Sequence, residues 1–127
     1  MERTIIHTDS APAAIGPYSQ GVRGGGFIFF SGQIPIDPAS GEVVSGGIVA
    51  QTEQVMRNIG ALLTAAGTGF PSVVKTTIFL TDLADFGQVN EIYGRHFPAA
   101  PPARSTVQVS ALPKGVAIEI EVVALAG

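Results

Sequence analysis

Phe27-Ile28-Phe29-Phe30 sets bulky apolar side chains at consecutive positions. Neighbouring side chains on a strand point to opposite faces, so this run asks for apolar cover on both sides of its sheet. Val73 to Thr81 asks the same, with Val74, Ile78 and Leu80 on one face and Val73 and Phe79 on the other. Two segments have the helical spacing that could supply cover. In the first, Ile48, Thr52, Val55, Met56, Ile59, Leu62, Leu63 and Ala66 recur at three and four residues. Gln51, Glu53, Gln54, Arg57 and Asn58 fall mostly on its other side, and Gly67 stops it. Asp82 can cap the second helix, Leu83 to about Phe97, whose stripe is Phe86, Val89, Tyr93 and Phe97, with Asn90 near its polar edge.

The remaining periodic runs read as strands. Arg3 to Thr8 comes first. Tyr18 to Arg23 and Phe27 to Gly32 form a hairpin around Gly24-Gly25-Gly26. Ser31-Gly32-Gln33 ends that hairpin abruptly in small and polar residues, which can offer N–H groups and a hydroxyl to a ligand or can be a plain strand exit. Arg104 to Ser110 and Val116 to Leu125 close the chain; Val116, Ile118, Ile120 and Val122 lie on one face of the last strand, Glu119 and Glu121 on the other. The order predicts one α+β domain over residues 1–127, a single sheet of about six strands with two helices on one face. The other face is left apolar and uncovered.

Composition points the same way. Only 13% of the residues are charged and mean hydropathy is +0.38, against about 25% charged in a typical soluble domain. The bare face is therefore expected to pack against sister subunits. A net charge of −3 and a pI near 5.2 supply no broad basic field, which weighs against nucleic acid as the main partner. The chain has no cysteine, which removes disulfides, thiolate metal sites and a cysteine nucleophile, and is compatible with a cytoplasmic setting. No run reaches the ~18 apolar residues of a membrane span, and Met1 to His7 lacks the pattern of a secretory signal. His7 and His96 stand far apart and outside acidic clusters, so no metal is expected.

Pro101-Pro102-Ala103-Arg104 delivers an arginine to the start of a strand. Its planar fork suits a carboxylate gripped by two parallel hydrogen bonds. On residue type alone it reads equally as a solvated edge arginine, or one paired with a neighbouring glutamate. If the last two strands form an antiparallel hairpin around Leu112-Pro113-Lys114-Gly115, opposed residues share a face, and Arg104, Thr106 and Gln108 stand beside Glu119 and Glu121. Either an ordinary cross-strand ion pair or a carboxylate grip with a proton-handling glutamate then follows. Composition does not separate these.

Gly16-Pro17-Tyr18-Ser19-Gln20, Ser31-Gly32-Gln33-Ile34-Pro35, Val74-Lys75-Thr76-Thr77, Val89-Asn90-Glu91-Ile92-Tyr93, Pro102-Ala103-Arg104-Ser105-Thr106 and Ile118-Glu119-Ile120-Glu121 together resemble the Rid/YjgF reactive-intermediate deaminases over nearly the whole chain. The resemblance implies a fold similar to the trimeric bacterial chorismate mutases, with sites in clefts between subunits of a homotrimer. It implies hydrolysis of 2-aminoacrylate and related enamines or imines to 2-keto acids and ammonia, with no cofactor. Carried onto this chain, it implies that Arg104 grips the substrate carboxylate. Glu119 would orient or activate water with help from the backbone carbonyl of Thr106, and Tyr18, Ser31, Gly32 and Asn90 would line the pocket. Some members carry cysteine where Thr106 stands, a change that a carbonyl role survives. Two alternatives stand beside this reading: a non-catalytic regulator or chaperone-like protein that binds small carboxylates in the same cleft, and a ribonuclease, which the negative charge disfavours.

Overall fold

In the computed structural model, which describes residues 2–126, six strands form one sheet. Strands β1 (Thr4–Ile6), β2 (Gly21–Gly24) and β3 (Phe27–Phe30) run antiparallel in succession. The link Gly25-Gly26 has φ of +61° and +83°, the left-handed pair that suits a tight hairpin and that glycine adopts without strain. Helix α1 (Ile48–Ala65) ends as expected at Gly67, where the N–H groups of Gly67 and Thr68 reach back to the carbonyls of Thr64 and Leu63. Strand β4 (Val73–Leu80) follows. Asp82 does cap, but what it caps is a short 3-10 turn, Leu83–Asp85, whose Ala84 N–H it accepts at 2.9 Å. Helix α2 is therefore shorter than its stripe suggests, Phe86–Gly94, before β5 (Ala103–Gln108) and β6 (Ile118–Leu125).

The strand order is β1-β2-β3-β6-β4-β5, which overturns the expected hairpin of the last two strands. β5 lies parallel to β4 at the sheet edge, and β6 inserts antiparallel between β3 and β4. The reason is physical. β4, α2 and β5 form a strand–helix–strand unit, and a helical crossover returns the chain parallel to its first strand. β5 is polar and largely exposed, whereas Ile118, Ile120, Val122 and Ala124 of β6 are buried. Burying a Val or Ile side chain is worth roughly 1.5–3 kcal/mol, so the apolar strand takes the centre and the polar one the edge.

Both helices pack on one face. Val55, Met56, Ile59, Leu62 and Leu63 of α1 and Val89, Ile92 and Tyr93 of α2 join Ile28, Phe30, Ile78, Leu80 and the buried row of β6 in one core. A register shift between Val73 and Lys75 turns Val73 onto this helix side, not the side opposite Ile78. The opposite face is bare, as expected. Ile5, Phe27, Phe29 and Leu125 are 50%, 40%, 51% and 45% exposed there. One expectation about α1 fails: Gln54 and Asn58, read as part of its polar side, are buried. Among the described residues, no helix is long and apolar enough to cross a membrane.

Candidate active site

The residues singled out from the sequence fall into two clusters. The first surrounds Glu119. Past the end of β3 the chain stays bound to β6, because the Gln33 N–H donates to the Ile120 carbonyl at 2.8 Å and the Ile120 N–H donates back at 3.1 Å. This holds Gly32 against Glu119. A Cβ added at Gly32 would stand 2.8 Å from Glu119 Cδ and closer still to Oε2, so the carboxylate occupies the space a side chain would need. The Ser31 hydroxyl donates to the Ser19 carbonyl at 2.6 Å. Tyr18 stands half-exposed at the mouth, its phenol oxygen accepting the Ile15 N–H at 3.3 Å. Buried Gln20 pins the adjoining loop, accepting the Thr8 N–H and donating to the carbonyls of Thr8 and Pro12.

Tyr18, Ser31, Gly32, Ile34, Pro113 and Glu119 line a cleft of about 300 Å³. A neighbouring hollow of about 390 Å³ shares Tyr18, Gly32, Ile34 and Pro113 and adds Ile15, Ile36 and Lys114. Burial pushes the Glu119 pKa up, and the charge of Glu121 pushes it further. A glutamate so placed is a stronger base than an exposed one and keeps its proton closer to neutral pH. Gly32→Ala should therefore displace the Glu119 carboxylate. The side chain can rotate at a cost of about 0.5–1.5 kcal/mol, so melting temperature should move little while kcat falls by about tenfold or more; equal activity in a steady-state assay would refute this.

The second cluster surrounds Arg104. Arg104 is opposed to Thr76 on β4, and Thr76 to Val122 on β6, so Arg104 belongs to the helix side of the sheet. Its Nη1 donates to Asn90 Oδ1 at 2.7 Å. The guanidinium carbon lies 5.2 Å from the Phe86 ring centre and 5.1 Å from that of Tyr93, within the range of cation–π attraction. Phe86, Asn90 and Tyr93 follow one another at four and three residues, which puts them on one side of α2. Tyr93 is fixed from behind by a 2.7 Å hydrogen bond with Thr76 Oγ1 in the core, and burial raises its pKa in spite of that bond. Tyr93, Pro101, Pro102 and Arg104 line a hollow of about 370 Å³. Thr106 opposes Ile78 on the same side, and its buried hydroxyl has no protein partner.

The strand order overturns the expected placing of Arg104 beside Glu119 and Glu121. β4 stands between β5 and β6, and Glu119 is opposed to Phe79 and, across it, to Val107. Glu119 and Glu121 therefore face the bare side, while Arg104 and Thr106 face the helices. Within one chain they do not meet, and neither reading of an Arg104–glutamate hairpin pair holds. Among the described residues the one arginine–carboxylate pair is Arg95–Glu91, and Arg104 has no acidic partner. The helical stripe assigns Phe86 and Tyr93 only to the core. Their spacing with Asn90 was the available sign that they also frame Arg104.

The six-stranded α+β sheet thus carries, on one side, an arginine without an acidic partner among the described residues and, on the other, a half-buried glutamate in a cleft. The chain belongs to the family described as Endoribonuclease L-PSP, which matches residues 8–126, the Rid/YjgF proteins. It is 59% identical to Protein DfrA of Myxococcus xanthus, over 98% of this chain and 97% of that protein. It is 53% identical to the 2-iminobutanoate/2-iminopropanoate deaminase of Homo sapiens, over 98% and 91%. A crystal structure of a Rid family protein from Yersinia pestis matches with a TM-score of 0.96 and 51% identity, covering 98% of this chain and 99% of that one.

Proposed function

We propose that this protein hydrolyses 2-aminoacrylate-type enamine and imine intermediates to 2-keto acids and ammonia, in sites each completed by a second copy of the chain. The observation that carries this reading is Arg104, held by a neutral asparagine and two aromatic rings and left without an acidic partner among the described residues. A guanidinium so framed has donors left for a substrate carboxylate. Relatives at 51% and 53% identity carry the name 2-iminobutanoate/2-iminopropanoate deaminase, which supports the reaction.

The chemistry follows from these groups. An enamine first tautomerises to the imine. Arg104 grips the carboxylate, and Asn90 orients Arg104. The imine reacts in its N-protonated form: Glu119 takes a proton from water as the water oxygen bonds to the imine carbon, and the C=N π pair moves onto nitrogen, which becomes a neutral amine. The Thr106 carbonyl is the second acceptor for that water. Glu119 returns its proton to the amine, the C–N bond breaks to release ammonia, and the carboxylate then accepts the hydroxyl proton as the carbonyl forms and passes it to solvent. Tyr18, Ser31 and Gly32 wall the reacting carbon, and no step calls for a cofactor.

Because the sheet separates the two halves in one chain, the Arg104 edge of one copy must meet the Glu119 cleft of another. Packing of the bare Ile5, Phe27, Phe29 and Leu125 face within a homotrimer is the arrangement proposed, in a cytoplasmic setting. Arg104→Ala and Glu119→Gln chains, each inactive alone, should regain about a quarter of wild-type activity when refolded together, since a random draw restores both native halves in one site of four. Absence of recovery would refute the shared site. Wild-type protein that fails to outpace spontaneous hydrolysis, in an amino-acid-oxidase-coupled keto-acid assay, would refute the reaction. Tight 2-keto acid binding without turnover would favour the regulator reading.

A further inference from the structure

We propose that three side-chain amides on one side of α1, Gln51, Gln54 and Asn58, hold the two walls of the Glu119 cleft apart and so set which imine side chains it admits. The inference rests on the reading of that cleft as the catalytic half-site. The three residues lie three and four apart, on one side of the helix.

Asn58, 1% exposed, donates from Nδ2 to the carbonyls of Ile34 at 3.3 Å and Ile36 at 3.0 Å. These carbonyls flank a tight turn at Pro35, in which the Ile36 N–H donates to the Ile34 carbonyl at 2.7 Å. Ile34 lines the Glu119 cleft, and Ile34 and Ile36 both line the adjoining hollow. The Asn58 amide has one workable orientation. Gln54 Nε2 donates to Asn58 Oδ1 at 2.9 Å, and Arg57 Nη2 in turn donates to Gln54 Oε1 at 3.1 Å, so the Asn58 NH₂ must face the loop. The other wall is held from the same helix. Gln51 Oε1 accepts the Ala117 N–H at 2.9 Å, at the end of the run that begins with the cleft residue Pro113.

The residue type carries the argument. A leucine at position 58 would fill a similar volume but leave both loop carbonyls without this donor, and an aspartate would set a carboxylate against them. Only an amide both packs against the core and grips two carbonyls. None of the three lines the cleft, so they are positioning residues, and their removal should act through wall placement and not through the chemistry of Glu119.

The test measures kcat and KM separately for imines generated by an amino-acid oxidase from alanine, 2-aminobutyrate, leucine and phenylalanine. In Asn58→Leu and Asn58→Asp, the ratio of kcat/KM for the largest imine to that for the smallest should shift by about fivefold or more, carried by KM. Gln51→Leu, at a half-buried position, should shift the ratio in the same direction and serves where the position 58 variants do not fold. An unchanged ratio in the folded variants, or an equal fall for every imine, would overturn the proposal while leaving the deaminase reading intact. A wild-type protein that hydrolyses none of the imines would overturn both.

Discussion

Arg104→Ala should lower kcat/KM by about 100- to 10,000-fold. A bidentate grip makes two hydrogen bonds to a charged partner, each worth about 1.5–3 kcal/mol, and the sum converts to that range. Stability should barely change. Arg104 is exposed, and what the fold loses is one hydrogen bond to Asn90 and the contacts over Phe86 and Tyr93, about 1 kcal/mol or less. Arg104→Lys should recover little, because an ammonium cannot reproduce the planar fork between two rings. Steady-state kinetics beside thermal melts of the same preparations check both halves of the expectation. An Arg104→Ala protein as active as wild type would remove the carboxylate-binding role.

Glu119→Gln should lower kcat by about 100- to 10,000-fold, the usual contribution of a positioned acid–base group. It should also remove the acid limb of the pH–rate profile. In the wild-type protein that limb rises with pH as Glu119 ionises, with its midpoint displaced upward from the ordinary glutamate value of about 4.3. Stability should respond in the opposite sense. A carboxyl whose folded pKa is raised binds its proton more tightly in the folded chain, so stability is greatest below the ordinary glutamate range and is lost as pH rises through the elevated value. Glu119→Gln should accordingly melt higher than wild type near neutral pH, and the gap should close toward pH 4. A gap that widens on acidification would show that Glu119 is not held against its charge.

The parts legible in the sequence are those where periodicity reports burial. The α1 stripe, the glycine hairpin and the alternation of β6 follow from which residues must leave water. Alternation tells which side chains share a face of a strand. It does not tell which strand lies alongside, and that missing step misplaced Arg104 relative to Glu119. One local sign argued against a β5–β6 hairpin, the helix between β4 and β5. The connection itself, five residues by the sequence pattern, runs from Val109 to Ala117 in the structure, longer than the about two to five residues of common hairpin loops. The site residues were legible as types and through family resemblance, but their division between two faces required the strand order. Gln54 and Asn58 escaped for a related reason. The segment that Asn58 grips, around Ile34 to Ile36, has no period to announce where it will lie, and Gln54 is bonded to Asn58.

The position of β6 has a consequence for how the protein is made. The strand that joins β1-β2-β3 to β4-β5 leaves the ribosome after all five of them. Until it arrives, β1-β2-β3 and β4-β5 lack the strand that pairs them into one sheet, and β3, with its two outward phenylalanines, lacks its β6 partner. Glu119 rides on that same strand. The joining of the sheet and the delivery of the proposed base are therefore a single event, and a chain released before Ile118 would have neither a continuous sheet nor the means to move a proton.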